Sequence, residues 1–138
     1  MDNTRAVAGR FIRYMEDGHP SDAFKLIGEN GRYILIGTTP VSGTYHGRAD
    51  IEKRIDPVLA GSTEPPPKMK FSETIVQGDR VVMLASGQGK GPQGRPYDQP
   101  YYAYVARVDG DCFAELIEFC DTVMIQSCWF GKVLVPCR

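Results

Sequence analysis

Residues 112–125 read CFAELIEFCDTVMI, and the rest of the chain is arranged around them. Phe113, Leu116, Ile117, Phe119, Val123, Met124 and Ile125 supply apolar area, and Glu115, Glu118 and Asp121 interrupt it. Aromatic and β-branched residues favour extended backbone, so one strand is expected over the whole of 112–125. A strand with carboxylates among its apolar residues is either half exposed or lines a cavity. The two-residue period puts Leu116, Glu118 and Cys120 on one face and Glu115, Ile117, Phe119 and Asp121 on the other. Neither face is cleanly apolar, so alternation leaves the inward face open.

Working outward, three more strands precede this one. They are expected over 69–76, 80–88 (RVVMLASGQ) and 97–108. Gly78-Asp79 is a tight hairpin turn, residues 89–94 are a glycine-rich turn, and Asp109-Gly110-Asp111 leads into residue 112. The first third of the chain reads differently. Ala6, Val7, Phe11, Ile12 and Met15 recur at helical spacing, with Asn3 or Thr4 as cap and Asp17-Gly18 as stop. A second, short helix begins at Pro20 and runs through Ala23, Phe24, Leu26 and Ile27 to GENG at 28–31. A short strand follows at 33–36, then dense turn chemistry in GTTPVSG, 37–43. A third helix is expected over 49–59, with a kink or an end at Pro57. Residues 61–67, with three consecutive prolines, form an extended loop.

Helices segregated beside a meander of strands make an α+β fold: a cone-shaped, curved antiparallel sheet packed on three N-terminal helices. The 138 residues suit one domain spanning 1–138, with a core over about 4–126 and an apolar tail over 127–138. The tail either covers the cone mouth or packs in a dimer, and a homodimer is expected. The formal net charge is −1 without a Lys/Arg run, so neither nucleic acid nor a membrane surface is an expected partner. The N-terminal MDNTRAVAGRF lacks an apolar stretch of signal-peptide type, and a cytoplasmic protein is expected. The four cysteines, at 112, 120, 128 and 137, form no Cys-x-x-Cys pair and are expected to be free and reduced. The two histidines, His19 and His46, lack ligand spacing, so neither a metal nor an organic cofactor is expected.

Three motifs carry a resemblance: GTTPVSGTYHGR at 37–48, GDRVVM at 78–83, and GRPYD at 94–98 together with LIEFCDT at 116–122. With the order of helices and strands, the chain resembles SnoaL-like and ketosteroid-isomerase-like proteins of the nuclear transport factor 2-like superfamily, over about residues 4–126. The resemblance implies the cystatin-like roll of that superfamily. Its function varies among isomerases, cyclases, dehydratases, hydrolases and binding modules. The isomerases' general-base aspartate would fall on the strand at 33–36, which reads Tyr-Ile-Leu-Ile and has no acid. The Arg-x-Asp pair of limonene epoxide hydrolases would fall near Leu84 and Ser86, which are neither. The acid on the last strand has a counterpart in Glu118, and the resemblance favours the Glu118 face as the inward one.

Glu118 is therefore the expected proton-transfer group, because a carboxylate in an apolar cone gains a proton more readily. Tyr102 and Tyr104 share a strand face and are expected inward, where a phenol can stabilise charge on a substrate oxygen. His46, with its near-neutral titration, is the third candidate for that role. Tyr33, Leu84, Ser86, Gln88, Leu116 and Trp129 are expected to contact the substrate. Asp121 is expected to be structural. The expected function is cofactor-independent acid/base catalysis on a small hydrophobic, cyclic or aromatic, oxygenated metabolite, of isomerase, cyclase or lyase type. The alternative is a non-catalytic ligand-binding or dimerisation module on the same fold. An open apolar pocket with Glu118 at its base points to the first, and a filled cone with Glu118 outside to the second.

Overall fold

The helical spacing of Val7, Phe11 and Met15 is realised in helix α1, Thr4–Glu16, in the computed structural model, which describes residues 3–137. Pro20 opens α2, Pro20–Phe24. Strand β1 spans Ile27–Leu35 and β2 spans Gly43–His46. Helices α3, Gly47–Arg54, and α4, Asp56–Ala60, meet at Ile55, because Pro57 lacks the donor that a continuous helix would need. Strands β3 (Lys68–Gln77), β4 (Arg80–Lys90), β5 (Pro96–Asp109) and β6 (Cys112–Phe119) follow, and helix α5 is Thr122–Phe130.

Among the described residues, six strands form one curved open sheet in the order β2-β1-β6-β5-β4-β3. The meander β3 to β6 is antiparallel, as is β1 with β2, but β1 lies parallel to β6. The sheet is thus mixed rather than wholly antiparallel. A parallel pair needs a long crossover, and everything from β2 to β5 supplies it. Register shifts between Ala85 and Gly87 against β5, and between Phe71 and Glu73 against β4, mark bulges that bend the sheet over the helices.

Two glycine-bearing stretches differ from the sequence reading for steric reasons. Residues 28–31 stop no helix; they are part of β1. A Cβ on Gly31 would lie 2.7 Å from the carbonyl oxygen of Phe113, so the glycine permits close approach of β1 and β6. Residues 43–46 form a strand, and Gly47, with φ of +81°, turns it into α3 where a Cβ would meet the Glu29 carbonyl oxygen at 2.2 Å.

The expected strand over 112–125 ends at Phe119. The carboxylate of Asp121 accepts hydrogen bonds from the backbone N–H of Val123 at 3.0 Å and of Met124 at 3.3 Å. That is N-capping chemistry, and it starts α5. Strand propensity in Val123, Met124 and Ile125 is overridden by this local cap and by burial of Ile125 and Cys128. The tail also begins later than expected, since 127–130 are helical and irregular backbone starts at 131 and continues to 137, with Val133, Leu134 and Val135 exposed. Asp121→Ala should cost about 1 kcal/mol. Thermal unfolding followed by circular dichroism would read this as a melting temperature lower by a few degrees; no change would refute the capping role. Among the described residues, no helix is long and apolar enough to cross a membrane.

Candidate active site

Glu118 sits on β6 with Leu35 of β1 and Tyr104 of β5 as its direct cross-strand partners. Leu116 and Glu118 face the helices, whereas Glu115 is turned outward to an ion pair with Arg32. Burial leaves Glu118 only 8% exposed. Among the described residues, no cationic side chain pairs with it. The Tyr33 hydroxyl donates to Glu118 Oε1 at 3.0 Å, and the Cys120 thiol lies 3.9 Å from Oε2. Burial pushes the Glu118 carboxyl up to about 7, against the opposing pull of the Tyr33 and Cys120 contacts. A carboxyl poised there both gives and takes protons near neutrality.

Three tyrosines of β5 surround this group. Tyr102 and Tyr104 stack with centroids 5.4 Å apart, and the Tyr102 and Tyr97 hydroxyls bond each other. Tyr97 and Tyr102 have opposite parity, yet both point inward, because the bulge between them resets the alternation. Burial, then the neighbouring charge of Glu118, holds the Tyr104 phenol well above its ordinary value. Its hydroxyl has no hydrogen-bond partner among the described residues and faces open space. It is a donor without an assignment inside the protein.

That open space is a cavity of about 350 Å³. Its sheet wall carries Tyr33, Leu35, Met69, Tyr97, Tyr102, Tyr104 and Glu118. Its helical wall carries Met15, Phe24, Ile55, Val58, Leu59, Ile125 and Trp129, and the connection at 61–67 adds Ser62, Glu64, Pro66 and Pro67. An apolar cavity of about 150 Å³ already holds benzene, so this one has room for about two fused rings. The start of α5 is anchored by Gln99 of β5, fully buried, whose amide donates to the Asp121 carbonyl at 2.7 Å and accepts from the Asp121 N–H at 2.9 Å. This clamp carries Ile125 and Trp129 over the cavity.

Of the residues singled out from sequence, Glu118, Tyr102, Tyr104, Tyr33 and Trp129 line the cavity together. The other five are elsewhere. His46 is exposed at the end of edge strand β2, where its N–H donates to Asp50; Tyr45 is the residue of that strand that points inward. Leu84 and Ser86 lie on the outer sheet face, lining a groove with Tyr101 and Phe119, because Met83 and Ala85 take the inward positions. Gln88 is exposed beyond the bulge and donates to Asp98 at 3.1 Å. Leu116 is sealed in the core and does not reach the cavity. Tyr97, Phe24, Ile125 and Glu64 were missing from that set. Ile125 needed the helix start at Asp121 to be read, and Tyr97 needed the bulge; Glu64 has no local signal in its proline-rich loop.

Cys112, Cys120 and Cys128 take part in no disulfide, and among the described residues no three His, Cys, Asp or Glu side chains are placed to hold a metal ion.

No family model matches the chain, and no curated protein matches it. Solved structures do. A nuclear transport factor 2-like protein of unknown function from Burkholderia pseudomallei is 16% identical with a TM-score of 0.76, the match covering 93% of this chain and 98% of the other. A protein of unknown function with a cystatin-like fold, from Xanthomonas campestris, is 18% identical with a TM-score of 0.76 over 94% and 98% of the two chains. A protein from Jannaschia sp. CCS1, provisionally assigned as a SnoaL-like polyketide cyclase, is 15% identical with a TM-score of 0.72 over 95% and 94%. The chain has the nuclear transport factor 2-like, or cystatin-like, fold.

Proposed function

We propose that this chain is a cofactor-independent acid/base enzyme for a small, hydrophobic, cyclic or aromatic, oxygenated metabolite. The observation that carries the reading is a carboxyl poised at about 7, at the wall of an open and largely apolar cavity. Glu115 and Asp50 are each paired with an arginine, Arg32 and Arg54, and Asp121 caps a helix through backbone N–H groups. Glu118 finds only a phenol and a thiol. A polyketide cyclase assignment on the same fold is consistent with this class, and the chemistry is argued from the site.

In this reading the Glu118 carboxylate removes a proton from carbon next to a carbonyl, or from a hydroxyl, and returns it elsewhere on the same substrate. The electron pair moves onto the substrate oxygen. Tyr104 donates to that oxygen, and Tyr33 holds Glu118 in place. The apolar walls exclude water, so these interactions act in a medium where each is stronger than in bulk. Isomerisation, cyclisation and elimination all need this set and no more.

The test is proton exchange and turnover with a panel of aromatic and terpenoid ketones and alcohols in deuterated buffer, read by nuclear magnetic resonance. Tyr104→Phe is expected to slow the reaction by about 100-fold, the order seen when one oxyanion donor is lost. Its melting temperature should not fall, because the hydroxyl has no protein partner to lose. Binding without exchange across the panel would overturn the catalytic reading in favour of a ligand-binding module.

A further inference from the structure

The charged groups on the cavity surface are one-sided. Glu118 and Glu64 line it, and among the described residues no lysine, arginine or histidine does. Both histidines are outside, and Lys70 faces the outer groove. Most of the polar side chains are also on one side, apart from Ser62 and Glu64 of the connection and the indole of Trp129. The carboxyl of Glu118 and the hydroxyls of Tyr33, Tyr97, Tyr102 and Tyr104 all belong to the sheet wall, while Phe24, Ile55, Val58 and Leu59 opposite them have no polar side-chain atom.

We infer that the cavity takes an uncharged ligand that carries its oxygens along one edge, and that it turns away free carboxylates and phosphates. This rests on the proton-transfer reading only for the identity of the site, and it specifies the substrate class. Charge conservation supports it. When Glu118 accepts a proton from an uncharged substrate, a C–H or O–H bond breaks, an O–H bond forms on Glu118, and the pair stays on the substrate oxygen. The sheet wall then holds one negative charge before and after, with Glu64 at the connection unchanged. An ionised carboxylate bound beside the Glu118 carboxylate would make two on that wall, with no cationic side chain among the described residues of the lining to offset either. At a separation of about 6 Å and an effective dielectric near 20, that repulsion weakens binding on the order of 100-fold. The apolar part of the helical wall adds the second condition, since an oxygen buried against Phe24, Ile55, Val58 and Leu59 would find no side-chain donor or acceptor.

Three probes of one shape separate the possibilities: 2-naphthol, methyl 2-naphthoate and 2-naphthoate, titrated calorimetrically at pH 8.5. The ester and the naphthol are expected to bind at least 10-fold more tightly than the carboxylate. In Glu118→Gln that gap should shrink severalfold. In the wild type it should shrink likewise as pH falls from 8.5 to 6, where Glu118 gains a proton while an aromatic carboxylate stays ionised. The pH arm holds even if the variant does not fold. Carboxylate binding as tight as ester binding would overturn the inference and leave the proton-transfer reading standing. A charge preference without any turnover would do the reverse.

Discussion

Replacing Glu118 with glutamine is expected to slow turnover by at least about 100-fold while raising the melting temperature at pH 8. The two halves come from one cause. Glutamine keeps the shape and can still accept from the Tyr33 hydroxyl at Oε1, so the cavity geometry survives. It cannot take up or release a proton, and a positioned acid/base group typically contributes 10²- to 10⁴-fold. Full activity in the variant would remove Glu118 from the mechanism and with it the one carboxyl that the described residues bury on the sheet wall of the cavity.

The stability half follows from proton linkage. The folded chain holds the Glu118 proton up to about pH 7, whereas an unfolded glutamate releases it at its ordinary value of 4.5. The folded-state value is raised, so the stabilising contribution is complete below about 4.5 and is lost as pH rises through 7. The gap is worth about 3 kcal/mol, to within a factor of two. At pH 8 the wild type therefore carries a buried charge that glutamine lacks. The variant should melt higher there, by several degrees, and its advantage should vanish at pH 4. Melting curves of the two proteins that stay parallel from pH 4 to 8 would show that Glu118 does not titrate with the burial the fold gives it.

How far this site is legible from sequence depends on the kind of signal. Parity along unbroken strands carries well: Tyr102 and Tyr104 share a face, and the fold resemblance orients Glu118 correctly beside them. Parity fails at bulges, which leave no mark in composition, so Tyr97 is missed because β5 carries an extra residue opposite Ala85 and Gly87; Gln88 keeps the face of Leu84 and Ser86, and all three are outward because Met83 and Ala85 take the inward positions. Parity also needs the strand's anchor. With β2 unrecognised, Tyr45 and His46 could not be assigned inside and outside. The run from Cys120 to Ile125 shows a second limit. Its residues are strand-like one by one, yet the Asp121 side chain, two hydrogen bonds and the Gln99 clamp make a helix there. An Asp-Thr pair after an apolar run is itself a helix-start signal, and it outweighs propensity. The parallel pairing of β1 with β6 is a tertiary fact, made between strands about 80 residues apart in the chain, and leaves no local mark in either.

The largest loss of stability from a single truncation is expected at Phe11, on the buried face of α1. The residue has no solvent exposure. Its ring meets Phe24 of α2, Phe71 of β3, Tyr104 of β5 and Phe113 of β6, with centroids 5.2 to 6.5 Å away and all four edge to face. One side chain thus joins the first helix to both halves of the sheet and to the next helix. Phe11→Ala removes four aromatic contacts and leaves a cavity that a curved sheet cannot close by a local shift, so the cost should be about 3–5 kcal/mol. Against a total of about 5–15 kcal/mol for a domain, that lowers the melting temperature by about 10 °C or more. It should also lower activity, because Tyr104 leans on Phe11 and would lose its fixed direction. Comparison with Tyr104→Phe separates the two effects: that variant loses the donor at full stability, and Phe11→Ala loses the support with the donor present. Phe11→Leu, which refills most of the space, should recover most of both. A melting temperature within about 3 °C of wild type in Phe11→Ala would mean that α1 is not what holds the sheet in its curve, and the cavity wall would have to be explained from the bulges alone.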